Sequence, residues 1–477
     1  MASEQLLIGR KKEISILQKI YNSRKSEFVI IYGRRRVGKT YLVNHVFDGK
    51  FVFRITGLGN AGTLQQLANF HAALIDLDPS LEGQILPENW FNAFRSFTKV
   101  LEKNTSSRKL IFIDELPWFD TPGSDFLSSL EHFWNSWASL RQDIVLITCG
   151  SAASWMINKL IFNRGGLHNR VTERIQLQPF SLSETEAFLK AKGAVYDRYQ
   201  ILELYMSIGG IPFYLDTIQT NRSVAQNIDR LFFETGGLLN LEYQSLYRSL
   251  FNKYEKHTSI VEALAQKTQG LDRKTLLKLS NLADGGSSSE ILDELIYSGF
   301  ISKSVPFGKN KRDAVYRLSD PYSLFYLTFV RDSKAKGEGS WLAQSKSPKW
   351  RAWSGYAFEF ICLHHVDQIK KHLGISGVYT EASPWKSKGL TDNVQIDLLL
   401  DRKDRIINIC EMKFHEEKFT LSKVYADKLA QKISVFRQES GTNKTILLTL
   451  ISTFGHTMNE YSLRYIQESL DMNALFD

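Results

Sequence analysis

The chain has 477 residues, 43% hydrophobic and 23% charged, and its 60 Lys and Arg against 51 Asp and Glu give a formal charge of +9. That balance excludes a long disordered chain, and no apolar run approaches the ~20 residues that span a bilayer, so no membrane partner is expected. The length exceeds one ordinary core, so two to four domains are expected, and the basic surplus is compatible with nucleic-acid contact or with a surplus spread over the surface.

In chain order, Met1-Ala2-Ser3-Glu4-Gln5 lacks the charged start and apolar run of a secretory leader. Ile14, Leu17, Ile20 and Tyr21 recur at helix spacing after Leu7-Ile8-Gly9-Arg10. Phe28-Val29-Ile30-Ile31-Tyr32 is then a short β-branched run that ends in Gly33-Arg34-Arg35-Arg36-Val37-Gly38-Lys39-Thr40 and opens an amphipathic segment, Tyr41 to Phe47. Strand, glycine loop and helix in this order carry the G-x-x-x-x-G-K-[ST] pattern in the context that gives it a mechanism. Backbone N–H groups from Gly33 to Thr40 and the helix N-terminus can cradle phosphates. Lys39 would reach the β- and γ-phosphate oxygens and Thr40 would place its hydroxyl on Mg²⁺, so ATP and Mg²⁺ are the expected cofactors.

Phe51 to Ile55 reads as a second strand, and Leu64 to Ile75 and Trp90 to Leu101 as helices. Leu110-Ile111-Phe112-Ile113 reads as a buried parallel strand with Asp114 and Glu115 at its carboxyl end, where open α/β sheets place ligands. Asp114 suits the acid that holds Mg²⁺ through its waters, and Glu115 the residue that polarises the attacking water. Ile144 to Ile147 is a further strand leading to Thr148-Cys149-Gly150-Ser151. Ser151 is the candidate hydroxyl for the γ-phosphate or the water, with Thr148 as alternative and a plain strand-end turn as the competing account. Cys149, Cys362 and Cys410 are widely spaced and odd in number, and they read as buried thiols in a reducing, cytoplasmic setting.

By this point the chain resembles the AAA+-type ATPases, in particular the bacterial and archaeal group with a restriction-endonuclease-like C-terminal domain. Gly33 to Thr40, Ile111 to Glu115, Gly150-Ser151, Leu167-His168-Asn169-Arg170 ahead of Pro179-Phe180-Ser181-Leu182, and Gly209 to Leu215 carry the resemblance. It implies that Arg170 acts on a neighbour's nucleotide in a homo-oligomer, with Arg164 and Arg174 as competitors.

From Ser181 to Leu250 the pattern is helical, with Ser183-Glu184-Thr185-Glu186 as the expected capping start of a lid. Two helix stripes follow, then Ser287-Ser288-Ser289-Glu290 ahead of Ile291 to Ile296, then strands Gly299 to Ser304 and Ala314 to Leu318 around a loop with Lys309, Lys311 and Arg312. That order predicts a winged helix. Glu290, Asp293 and Glu294 on its third helix disfavour base reading, so DNA binding competes there with a protein contact. Asp332 to Pro348 mixes Lys, Gly and Ser and reads as a linker.

Gly355 to Cys362 reads as the start of a helix with Glu359 at the edge of its apolar face. Val394 to Leu400 and Ile406 to Lys413 read as neighbouring strands, and Glu411 and Lys413, two apart, share a face. This resembles the PD-(D/E)XK nucleases, although Gln395-Ile396 stands where the proline would fall. The resemblance implies that Asp397 and Glu411 bind Mg²⁺, that Glu359 adds a helix acid, and that Lys413 orients the water. The competing account is an exposed hairpin with an ordinary Glu–Lys pair.

The expected fold is α/β: a parallel-sheet P-loop core over 1–180, a helical lid over 181–250, a winged helix over 251–331, a linker over 332–348 and a restriction-endonuclease-like domain over 349–477. The leading function is an ATP-hydrolysing ATPase coupled to a DNA-associated, Mg²⁺-dependent nuclease-like domain. A nucleotide-dependent switch whose C-terminal domain binds without cutting, and a protein remodeller, stand beside it.

Overall fold

Phe28, Val29, Ile30 and Ile31 are wholly buried because their strand, β1 (Glu27–Tyr32), runs inside a parallel sheet covered on both faces. The computed structural model describes residues 7–152, 155–161, 167, 169–251, 253–267, 269–334, 337–389 and 394–477. The chain divides into two units, Met1–Pro179 and Phe180–Asp477.

In the first unit, helix α1 (Lys11–Tyr21) precedes β1, and the glycine loop leads into α2 (Lys39–Val46). Then come β2 (Phe51–Thr56), α3 (Thr63–Leu77), α4 (Trp90–Lys103), β3 (Lys109–Asp114), α5 (Phe126–Ser136), β4 (Ile144–Gly150) and β5 (Glu173–Gln176). The strands pair in the order β2-β3-β4-β1-β5, all parallel. Tyr32 lies opposite Gly150 and Thr56 opposite Asp114, which brings the carboxyl ends of the strands level. One face is sealed by rings: Phe53 sits 4.5 Å from Phe97, and Phe70 5.6 Å from Trp90. Aromatic pairs of this kind add to the stabilisation from burial itself.

The second unit opens with α6 (Leu182–Ala191) and α7 (Arg198–Ile208). The cap of α6 is Ser181, which accepts from the Glu184 N–H while Glu184 accepts from the Ser181 N–H, two residues ahead of the expected start. Helices α8 (Pro212–Asp216), α9 (Val224–Ile228) and α10 (Leu238–Leu250) follow. Segment 254–318 then forms α11 (Tyr254–Ala265), β6 (Leu271–Asp272), α12 (Arg273–Leu279), α13 (Gly286–Tyr297), β7 (Ile301–Ser304) and β8 (Val315–Leu318). Its strands make an antiparallel sheet ordered β6-β8-β7. Helix α13 begins at Gly286, so the serine run lies inside it rather than capping it.

The stretch expected as a linker is packed instead. It follows α14 (Pro321–Phe325) and carries α15 (Ser340–Gln344), whose Trp341 is buried 4.8 Å from Phe325 and 5.0 Å from Trp350. Asp229 accepts from the N–H groups of Gly339 and Trp341 at 2.9 and 2.6 Å. A lysine, glycine and serine composition hides that anchor because one tryptophan does the packing.

The last part begins with α16 (Pro348–His364), capped by Ser347, so Gly355 lies within the helix rather than at its start. After α17 (Val366–His372) come β9 (Thr380–Lys386), β10 (Gln395–Arg402), β11 (Ile406–Lys413), β12 (Phe419–Thr420), α18 (Lys423–Ser440), β13 (Thr445–Ser452), β14 (His456–Thr457), α19 (Glu460–Tyr465) and β15 (Glu468–Leu470). The main sheet is ordered β15-β13-β11-β10-β9. Strands β9, β10 and β11 form an antiparallel meander, and α18 then crosses to β13, parallel to β11. Ile396, Leu399, Ile407, Ile409 and Leu448 pack with Leu429 and Phe436 of α18 in its core.

Candidate functional site

The loop between β1 and α2 needs glycine at its first position. Gly33 has φ +146°, and a Cβ there would stand 2.3 Å from the Leu177 carbonyl oxygen. Arg10, itself left-handed at φ 56°, braces the far side of the loop by donating from Nη2 to the Val37 carbonyl at 3.2 Å.

Lys39 is 5% exposed, and its ammonium donates to the carbonyls of Gly33 (3.2 Å) and Arg34 (3.1 Å) and to Ser151 Oγ (3.1 Å). Burial pulls its pKa below the ordinary lysine value, opposed by Cys149, Glu115 and Asp114. Thr40 Oγ1 donates to Asp114 Oδ2 at 2.8 Å. The other oxygen of Asp114 accepts from the Glu115 N–H at 2.9 Å and from the Cys149 thiol at 2.6 Å. Burial pushes that thiol well above its usual range, so it stays a neutral donor. Glu115 follows in a left-handed turn, φ 47°, and its carboxylate accepts from Ser151 Oγ (2.8 Å) and the Ser151 N–H (3.1 Å).

The structure thus brings Lys39, Thr40, Asp114, Glu115 and Ser151 together at the carboxyl edge of the sheet. Thr148, the alternative hydroxyl, donates instead to the Val29 carbonyl at 3.3 Å. Arg34 is buried in the loop, while Arg170 and Arg174 are exposed. Arg164 and His168 lie outside the described residues. Cys149 and Arg10 were missed as site residues: a thiol in a buried strand reads as core, and nothing local ties Arg10 to Val37, 27 positions on.

A second cluster lies in the C-terminal sheet. Glu411 Oε1 is 2.8 Å from Lys413 Nζ and also accepts from the Tyr425 hydroxyl, and Oε2 accepts from Lys432 Nζ at 2.7 Å. Burial alone would raise the Glu411 pKa, but the ammoniums of Lys413 and Lys432 hold it at about 2. Asp397 Oδ1 accepts from Gln395 Nε2 at 2.7 Å and lies 3.5 Å from Arg317 Nη2. On α16, Glu359 is raised above the usual carboxylate range by burial, then by Asp397 and Glu411, against Lys413 and Arg317. The predicted acids and lysine share one neighbourhood, with Asp397 and Glu411 each paired to a basic group. Among the described residues, no three His, Cys, Asp or Glu side chains are arrayed to hold a metal ion. Sequence reading missed Lys432 and Arg317, which reach the cluster from a helix and from another module.

Helix α7 packs beside this cluster. The Tyr199 ring stacks with Phe414, next after Lys413, at 5.5 Å and with Phe454 at 5.3 Å, and the Leu182 N–H donates to buried His365 Nε2 at 3.1 Å. No helix among the described residues is long and apolar enough to cross a membrane.

An uncharacterized protein of Methanocaldococcus jannaschii is 23% identical over 431 residues, covering 88% of this chain and 91% of that protein. Among solved structures, a Walker-type ATPase of Pyrococcus abyssi is similar over 68% of this chain and 96% of its own, with 15% identity and a TM-score of 0.48. The ORC2 protein of Aeropyrum pernix, solved as ADPNP–ADP complexes, is similar over 72% and 98%, with 14% identity and a TM-score of 0.41. Residues 7–218 match the family described as an ATPase domain predominantly from Archaea, and the loop lysine and the strand-end acids lie within that span.

Proposed function

We propose that the chain is an AAA+-type ATPase whose nucleotide state is passed through the lid and a winged-helix module to a restriction-endonuclease-like domain associated with DNA. The observation that carries the reading is the joint anchoring of Lys39 and Glu115 on Ser151 beside the Thr40–Asp114 pair.

In this reading Lys39 exchanges its loop carbonyls for phosphate oxygens, and Glu115 accepts the proton of the attacking water. Ser151 holds Glu115 in line until nucleotide arrives. Thr40 and Asp114 present hard oxygens 2.8 Å apart, a donor pair that suits Mg²⁺, and they would hold it. The bound ion would supply charge neutralisation at the phosphates.

For the C-terminal domain, support comes from the antiparallel meander, the α18 crossover to a parallel strand, and acids on β10, β11 and α16. Asp397 and Glu411 are paired to basic groups and do not fit a metal ion as they stand, which favours binding without cutting in this state. For the winged helix, Lys309, Lys311 and Arg312 are exposed on the wing, and Glu294 is engaged by His257 Nε2 at 2.6 Å. Both features lower the electrostatic barrier to a phosphate backbone.

ATP turnover by the full chain in Mg²⁺, with and without duplex DNA, tests the reading. DNA should raise turnover, and Lys39→Ala should remove it in both conditions. Absence of turnover overturns the ATPase reading. Turnover without DNA binding or stimulation overturns the DNA coupling and leaves a switch that acts on a protein partner.

A further inference from the structure

Arg317 belongs to β8 of the 254–318 module, yet its guanidinium reaches the acidic cluster of the C-terminal sheet. Its side chain is 9% exposed, Nη2 lies 3.5 Å from Asp397 Oδ1, and Nε donates to the Gln269 carbonyl at 3.3 Å. It is also within electrostatic reach of Glu359 and Tyr356. The module is pinned where it delivers this arginine. The Phe307 N–H donates to the Pro384 carbonyl at 2.8 Å, and the Phe307 ring packs 5.5 Å from Phe436, against the C-terminal core.

A buried guanidinium is costly unless acids face it, and here Asp397 and Glu359 do. By formal charge, Glu359, Asp397 and Glu411 are matched by Arg317, Lys413 and Lys432. A divalent ion between Asp397 and Glu411 needs carboxylate oxygens, and both Glu411 oxygens and Asp397 Oδ1 now face basic groups. Lys413 and Lys432 belong to the C-terminal domain itself, whereas Arg317 is contributed by the 254–318 module.

We propose that Arg317 is an internal stand-in for the divalent cation of this site, so that the 254–318 module gates metal binding at Asp397. The inference rests on the nuclease-like reading of the C-terminal domain and adds a gate to it. Without Arg317, the hydrogen bond left to Asp397 among the described residues is the neutral Gln395 amide's, and the potential at the cluster becomes more negative.

The test is Mn²⁺ titration of the full, nucleotide-free chain, read by calorimetry and by the paramagnetic resonance signal of free Mn²⁺. Arg317→Met and Arg317→Gln should each bind Mn²⁺ about tenfold or more tightly than the parent, because one neighbouring unit charge is gone. Arg317→Lys should behave as the parent, and adding Asp397→Asn should erase the gain. Cooperative melting establishes that each variant is folded, and the Gln variant decides if the Met variant is not. If the parent binds Mn²⁺ through Asp397 and neither neutral variant tightens it, the gate is overturned and the metal-site reading stands. If no folded variant shows Mn²⁺ binding that depends on Asp397, gate and metal-site reading fall together.

Discussion

Ser151 grips Glu115 twice, through its hydroxyl at 2.8 Å and its backbone N–H at 3.1 Å, while the same hydroxyl accepts from Lys39. The strand-end carboxylate and the loop lysine therefore share one small residue. Ser151→Ala should slow ATP turnover about tenfold, the scale of one hydrogen bond to a charged group. Glu115→Gln should slow it about a hundredfold or more while ATP still binds, because the amide keeps the shape and loses the basic oxygen. Steady-state turnover beside fluorescent-nucleotide binding separates the two, and parent-level turnover by the Gln variant removes Glu115 from the chemistry.

Gly33→Ala forces a Cβ to within 2.3 Å of the Leu177 carbonyl oxygen at φ +146°, so loop or strand must shift. The expected cost is about 1–3 kcal/mol in stability, with nucleotide affinity falling alongside. A lower melting temperature with parent-like nucleotide affinity would show that the loop absorbs the methyl group without changing its cradle.

Asp143 gives a pH prediction remote from both clusters. Arg141, through its side-chain hydrogen bonds, holds this carboxyl well below the usual range against a smaller burial effect, and Lys109, 2.7 Å away and buried, adds to the lowering. A depressed folded-state pKa contributes stability that is present above the unfolded value of about 3.9 and is lost as pH falls below it. Asp143→Asn should therefore cost about 3 kcal/mol at neutral pH, since it leaves Lys109 without its counter-charge. Urea unfolding curves of parent and variant should converge as pH drops below about 3. A gap of equal size at both pH values would mean that the loss is one of packing.

If Arg170 acts across a subunit boundary, its exposed side chain should find a neighbour's nucleotide only in an assembly. Turnover per chain should then rise with protein concentration, and mixing Arg170→Ala with Lys39→Ala chains should restore activity. Concentration-independent turnover in the monomeric range, checked by sedimentation, would exclude it.

What the sequence made legible follows contact range. The β1–loop–α2 unit and the Asp114-Glu115 strand end were readable because the chemistry lies within a dozen consecutive residues and the strands are uniformly apolar. The Glu411–Lys413 pair was readable because strand periodicity puts both on one face. Cys149 on Asp114, Arg10 on Val37 and Arg317 near Asp397 were not, since each joins segments whose spacing only tertiary packing sets. Trp341 shows the same limit from the other side: one buried ring turns a linker-like composition into an anchored helix.

The rings around Tyr199 give helix α7 a directional grip. Phe414 and Phe454 stack on it with interplanar angles of 19° and 27°, so each contact is close to parallel plates. Plates slide across one another at little cost and resist being pulled apart or pressed together. A shift of α7 along the ring planes would slip past the neighbouring sheet, whereas a shift perpendicular to them would push Phe414 and, one residue back, Lys413. The stack would act as a clutch, in which the direction of α7 travel, more than its distance, decides whether the strand end that carries Lys413 moves with it.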